Sequence, residues 1–226
     1  MGKSMVRNLM KAGFEVRIYA RNKEKVKDVI AEGAKFFENI RECMKGCDAV
    51  ITIVGYPADV EAVYFGEGKI IDSAEKGAYL IDMTTTSPQL DMRISETASP
   101  LGFHVLDAPV TGGDRGAKAG TLSILVGGER EDCEACMDIF RAMGSNITYY
   151  GPSGAGQHAK LANQIMQASI MSGVCEALAY VREQGLDPEV FMKGAAAGAG
   201  QNALLESYGE RICKDDLEPG FFVDFF

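Results

Sequence analysis

Asp48-Ala-Val-Ile-Thr-Ile-Val54 is a continuous apolar run. A strand with one wet face alternates polar and apolar residues, whereas an unbroken run reads as a strand covered on both faces, as in a parallel sheet. Working outward, Ala78-Tyr-Leu-Ile-Asp82, Gly102-Phe-His-Val-Leu-Asp107 and Leu122-Ser-Ile-Leu-Val126 read as further strands. Glu15–Ala20 alternates like a strand, and a short one is expected near 146–150. Helical spacing fills the gaps. Residues 3–11 carry Met5, Val6, Leu9 and Met10 on a polar background, with Ala12-Gly13 as the stop, and helices are expected over 22–32, 58–65, 87–98 and 129–143. Strands alternating with helices predict an α/β fold, a doubly wound and mostly parallel sheet with helices on both faces.

The pattern changes after Tyr150. Gly151-Pro152 is a helix-start signal, and strand-like runs end there. Residues 153–184 read as one long apolar helix, on the order of 45 Å at 1.5 Å per residue. Further helices are expected over 188–197 and 201–213. The expected domains are therefore 1–150, a dinucleotide-binding type of α/β unit, and 151–226, an incomplete all-α unit that begins with a long interdomain helix. In a doubly wound fold a central first strand precedes the first helix, yet here Met1-Gly2 already opens a helix. Gly220-Phe-Phe-Val-Asp-Phe-Phe226 stops within an apolar segment. Both ends lead to the expectation that this chain is part of a longer protein whose first strand is missing here.

With 226 residues, 46% of them apolar and 24% charged, the chain has enough material for a sizeable core. A net charge of −9 argues against nucleic-acid binding, which needs a basic footprint. No apolar stretch is long enough to span a membrane. The six cysteines are scattered and no signal peptide precedes them, so a reducing cytoplasm is expected. Cys133-Glu-Ala-Cys136 lies in a helical pattern with no second pair and no histidine nearby, so it reads as helix and not as a metal site. His104 reads as structural and His158 lies off the face of Lys160; no metal is expected.

Candidate binding residues collect at the ends of the strands. Gly2 fits either a plain helix start or the third glycine of a Gly-x-Gly-x-x-Gly dinucleotide turn. Arg21, beside Asn22 and Lys23, follows the 15–20 strand, where an arginine accommodates the 2′-phosphate of NADP; a solvated charge run is the other reading. Val54, Gly55 and Thr85 follow buried strands, where ligands bind in open α/β sheets. Thr84-Thr85-Thr86-Ser87-Pro88 equally suits a structural helix-entry turn. Thr111-Gly112-Gly113 offers main-chain N–H groups and a hydroxyl to a small carboxylate, or is a simple turn. Lys160, Asn163, Gln164 and Gln167 share one helical face, with Leu161, Ile165, Met166, Ile170 and Met171 on the others. Such a stripe either faces water or is buried with partners, and a partly buried lysine can exchange protons near neutral pH.

Together these segments resemble the β-hydroxyacid dehydrogenase family, in its 3-hydroxyisobutyrate dehydrogenase and tartronate semialdehyde reductase branch. The resemblance covers nearly the whole chain and rests on Asp107-Ala-Pro-Val-Thr-Gly-Gly113 running on to Gly128, and on Gly154-Ala-Gly-Gln-His-Ala-Lys160-Leu-Ala-Asn163-Gln164. It implies hydride exchange between NADP, or NAD, and a small β-hydroxy acid or semialdehyde acid. It makes Lys160 the catalytic proton donor and acceptor, with Thr111, Gly112, Gly113, Asn163 and Gln164 on the substrate. Gly2, Arg21, Asn22, Val54, Gly55, Val60 and Thr85 are then placed on the cofactor. Paired helical domains in the family imply a homodimer or homotetramer. Thr111 stands where serine is commoner, and Asn163-Gln164 departs from members with asparagine four residues after the lysine. The rival readings are a non-catalytic interaction module, a 6-phosphogluconate dehydrogenase type without an evident phosphate-binding basic cluster in 154–226, and an imine reductase type, which usually replaces the lysine.

Overall fold

The computed structural model describes residues 1–216 and Glu218; the apolar segment 220–226 lies outside the described residues. Contacts divide the chain into two compact units, Met1–Lys160 and the remainder from Leu161. In the first unit the order is α1 (Gly2–Lys11), β1 (Arg17–Ile18), α2 (Lys27–Ala31), β2 (Lys35–Phe36), α3 (Ile40–Met44), β3 (Ala49–Thr52), α4 (Pro57–Tyr64), α5 (Ile70–Ser73) and β4 (Tyr79–Asp82). It continues with α6 (Pro88–Ala98), β5 (His104–Asp107), β6 (Val110–Thr111), α7 (Gly113–Ala119), β7 (Leu122–Gly128), α8 (Arg130–Ala135), α9 (Met137–Met143) and β8 (Gly144–Gly151). Helix α10 (Ala155–Glu183) begins in this unit, and α11 (Pro188–Ala196) and α12 (Ala203–Cys213) follow.

The fold is a parallel-rich α/β sheet followed by helices. Strands β3, β4 and β5 are parallel neighbours in a six-stranded sheet, and β8 runs parallel to β7. Strand β7 runs against β5 and β6 because α7 turns the chain back between β6 and β7. Strands β1 and β2 pair in a small sheet of their own. The expected 15–20 strand shortens to Arg17–Ile18, and the expected 129–143 helix breaks at Cys136 into two. Segments β2, α3 and α5 carry no periodic run long enough to have been read from sequence.

The unbroken apolar strands bury both faces. Ile51, Ile81 and Leu106 pack on one side with Met5, Leu9, Phe140 and Met143. The alternate residues Val50, Leu80 and Val105 pack on the other with Tyr64, Ile94 and Ala98. Cys133 and Cys136 belong to the first of these clusters, and burial pushes both thiols up, Cys136 to about 12. His104 stacks on Tyr79 and its Nδ1 lies 2.6 Å from Asp132 Oδ1, a structural placement.

The second unit has its own core of Val174, Leu178 and Leu205 with Phe191 and Met192. Asp187 caps α11 by accepting from the Glu189 N–H at 2.8 Å, with Pro188 at the first helical position. Asn202 caps α12 through the Leu205 N–H at 2.8 Å. Among the described residues, no helix is long and apolar enough to cross a membrane.

Candidate active site

Parallel register places Thr52, Asp82 and Asp107 side by side at the carboxyl ends of β3, β4 and β5. All three are buried. Asp82 Oδ1 accepts from the Thr52 hydroxyl at 2.8 Å and from the Thr84 N–H at 3.0 Å. The Thr52 oxygen in turn lies 3.1 Å from the hydroxyl of fully buried Tyr64. The buried carboxyls of Asp82 and Asp91, the latter on α6, interact with one another. Burial raises the pKa of both, and mutual repulsion raises Asp91 further.

Asp107 holds the start of α10. Its Oδ1 accepts from the Gly154 N–H at 2.7 Å and its Oδ2 from the Gln157 N–H at 2.9 Å. These N–H groups have no intrahelical acceptor, so a carboxylate from β5 does the work of a cap. Gly156 makes the close approach sterically feasible: a Cβ there would collide with the Leu125 carbonyl oxygen and lie 2.7 Å from that of Asp107. Gln157 has no exposed surface. Its Nε2 donates to the Thr84 carbonyl at 2.7 Å and to Asp91 Oδ2 at 2.8 Å, while its Oε1 accepts from the Thr86 N–H at 3.1 Å. The side chain thus ties α10 to the turn after β4.

Lys160 follows Gln157 by three residues and is 6% exposed. It forms no ion pair among the described residues, and burial alone lowers its pKa from 10.5 to about 8. Along the polar stripe Lys160 and Gln164 are buried and Asn163 and Gln167 half-buried, while Ile165 and Met166 are 69% and 62% exposed. The Asn163 amide nitrogen is buried without a hydrogen-bond acceptor among the described residues.

The candidate cofactor residues gather at the same strand ends. Gly2 opens α1, and a Cβ there would lie 3.2 Å from Ile53, just past β3. Arg21 is 76% exposed and donates to Asp59 Oδ1 at 2.7 Å. Asp59 Oδ2 also accepts from the Tyr56 N–H, and a Cβ on Gly55 would meet it at 2.9 Å. The Val54 N–H donates to the Thr84 hydroxyl at 3.1 Å, and Thr85 is half-exposed between buried Thr84 and Thr86. A cleft of about 430 Å³ adjoins Tyr19, with Asn39, Arg41 and Lys69 in its wall. Two candidates have other work. Val60 has no exposed surface and its side chain packs in the core with Tyr64 and Leu80. The Asn22 side chain caps the short 3-10 turn Lys23–Val26 through the Glu24 N–H at 3.0 Å.

Thr111 pairs with Ser123 across β6 and β7, and Gly112 and Gly113 adopt φ of 118° and 59° as the chain enters α7. The glycines therefore lead a helix, not an open loop. Among the described residues no hydrogen bond joins them to Lys160. Asp82, Asp91 and Gln157 escaped the sequence reading. Asp82 and Asp107 had a legible signal, since each closes an apolar run with an acid.

Residues 1–151 match the family model for the NAD binding domain of 6-phosphogluconate dehydrogenase. Residues 154–226 match the model for the NAD-binding region of NADP-dependent 3-hydroxyisobutyrate dehydrogenase. The chain is 48% identical over 226 residues to an uncharacterized oxidoreductase, YkwC, of Bacillus subtilis (strain 168), covering 100% of this chain and 78% of the relative. It is 35% identical over 223 residues to 2-hydroxy-3-oxopropionate reductase of Escherichia coli (strain K12), covering 99% and 76%. Among solved structures, 3-hydroxyisobutyrate dehydrogenase of Mycobacterium tuberculosis with L-serine is similar at a TM-score of 0.86 and 27% identity, over 98% of this chain and 77% of that one.

Proposed function

Because this chain belongs to the β-hydroxyacid dehydrogenase family and is an NAD(P)-dependent oxidoreductase, we propose that Lys160 is the proton donor and acceptor at the oxygen of a small semialdehyde acid or β-hydroxy acid. The observation that carries this reading is a buried amine without an ion-pair partner among the described residues, its pKa lowered to about 8. Such an amine passes a proton in either direction near neutral pH. Residues 1–150 bind the cofactor and 151–226 form the helical domain, a division supported by the two model matches. Thr111, Gly112 and Gly113 hold the substrate carboxylate, supported by the N–H groups that the first turn of α7 leaves without intrahelical partners. Asn163 or Gln164, one turn beyond Lys160 on α10, orients the reacting oxygen.

The residues present fit a dinucleotide. Gly2 has no side chain to displace Ile53, and half-exposed Val54, Gly55 and Thr85 follow two parallel strands. When bound, the nicotinamide supplies or accepts the hydride. Exposed Arg21 favours NADP over NAD by meeting the 2′-phosphate. Arg21→Asp is expected to weaken NADP by about 10–100-fold relative to NAD, from the loss of one charged hydrogen bond. Titrating both cofactors against both proteins checks this, and an unchanged preference removes Arg21 from the site.

A second copy of the chain covers the outward apolar side of α10, giving a homodimer or homotetramer; the exposure of Ile165 and Met166 supports this. The free cysteines support a cytoplasmic setting.

The test is a screen of NADPH and NADH oxidation with glyoxylate, succinic semialdehyde, tartronate semialdehyde and methylmalonate semialdehyde. At least one is expected to turn over, with a pH profile set by Lys160. In reduction the ammonium is the acid, so kcat/KM holds below a pKa of about 8 and falls about tenfold per pH unit above it. In oxidation the neutral amine is the base, and the profile is the mirror image. Profiles flat across this range in both directions would sink the role of Lys160.

A further inference from the structure

The donors and acceptors around Gln157 leave one place where a proton is required. The backbone sets the amide: Oε1 faces the Thr86 N–H, so Nε2 faces the Thr84 carbonyl and Asp91 Oδ2. Both N–H bonds of that nitrogen are then used, and Asp91 Oδ2 is an acceptor. Asp82 Oδ1 is served by Thr52 and Thr84, but Asp82 Oδ2 is fully buried and no N–H or hydroxyl among the described residues reaches it. Its neighbour is the carboxyl of Asp91. Two ionised carboxylates meeting in a buried site repel without compensation, whereas one shared proton satisfies the orphaned oxygen.

We propose that Asp91 stands as the carboxylic acid, donates its proton to Asp82, and so clamps Gln157 and the first turns of α10, which makes it a positioning residue for Lys160. The role rests on Lys160 being the proton-transfer group. The groups facing the pair are Asp107 on β5, Tyr64 on α4 and Gln157 on α10; Lys160 makes no ion pair with any of them. In the folded protein Asp91 keeps a proton that the unfolded chain surrenders at ordinary carboxyl values. Folding therefore takes up a proton at neutral pH, and stability from this group falls as pH rises.

The experiment compares wild type, Asp91→Asn and Asp91→Leu. Asparagine reproduces the neutral acid, with a donor toward Asp82 and an acceptor toward Gln157. Between about pH 6.5 and 8.5, the unfolding equilibrium constant of wild type relative to Asp91→Asn is expected to rise about tenfold per pH unit. Contributions from Lys160 and the thiols cancel in that ratio. Asp91→Asn should keep kcat within about twofold, and Asp91→Leu, which fills the space without hydrogen bonds, should lose about tenfold or more in kcat with cofactor Kd unchanged. A pH-independent ratio overturns the shared proton, and normal turnover in Asp91→Leu overturns the positioning role. Lys160→Met, measured beside them, tests the proton-transfer reading separately, because the unfolding ratio does not depend on catalysis.

Discussion

Lys160→Met is expected to lower kcat by about 10²–10⁴-fold, the range for loss of a positioned acid–base group, and at the same time to stabilise the fold. The two effects share one cause. Burial lowers the Lys160 pKa from 10.5 to about 8, so the folded protein carries an ammonium that it solvates poorly. The sign follows from proton counting. Below about pH 8 the lysine is protonated in both the folded and the unfolded chain, and the full penalty applies. The penalty is relieved as pH rises from about 8 towards 10.5, where the folded state has lost a proton that the unfolded chain still holds. At neutral pH it amounts to roughly 3 kcal/mol. Methionine keeps the length and removes the charge. Urea unfolding at pH 7 should show the gain, and single-turnover kinetics the loss, while cofactor Kd stays unchanged. A variant that retains its turnover, or one that is no more stable than wild type, would contradict the reading of a desolvated working amine.

Gly156→Ala is the second substitution with a large expected effect, and it acts through backbone. The added methyl would collide with the Leu125 carbonyl oxygen and lie 2.7 Å from that of Asp107. Both atoms belong to the sheet and cannot turn aside as a side chain would. The cost is expected to reach about 3 kcal/mol, the upper part of the range for overpacking. Because the collision lifts the start of α10 from β5 and β7, it also displaces Lys160 one turn further on, so kcat should fall along with Tm. Gly173→Ala supplies the contrast on the same helix. Beyond the helix's own nearby backbone, no atom among the described residues lies within 4 Å of a Cβ at Gly173, and alanine there should stabilise by about 1 kcal/mol through helix propensity. If both substitutions behaved alike, the close packing at Gly156 would not be a determinant of the fold.

The layout of the sheet was legible because strands β3, β4 and β5 are covered on both faces, and a run such as Ala49–Thr52 has no polar alternation to hide it. Strand direction was not legible, since an apolar run such as Leu122–Val126 shows that a strand is covered but not which way its neighbours run. Segments of two to five residues, such as β2 and α3, were missed because one helical turn or one strand pair has no period to detect. On α10 the spacing identified the face shared by Lys160 and Gln164 but left open whether it met water. The answer came from tertiary contacts of Gln157 with residues some seventy positions away. Asp91 had no sequence signal, because its meaning depends on a second carboxyl brought to it by folding.

Asp107 reaches the amides of α10 from 47 residues earlier in the chain. A helix whose end is secured by its own neighbouring residues can fray and re-form by itself. Here that freedom is removed: opening the turns that carry the lysine requires releasing the end of a central strand. Local breathing at the Lys160 amine is therefore tied to breathing of the sheet, and that amine shares the rigidity of the most cooperative part of the molecule.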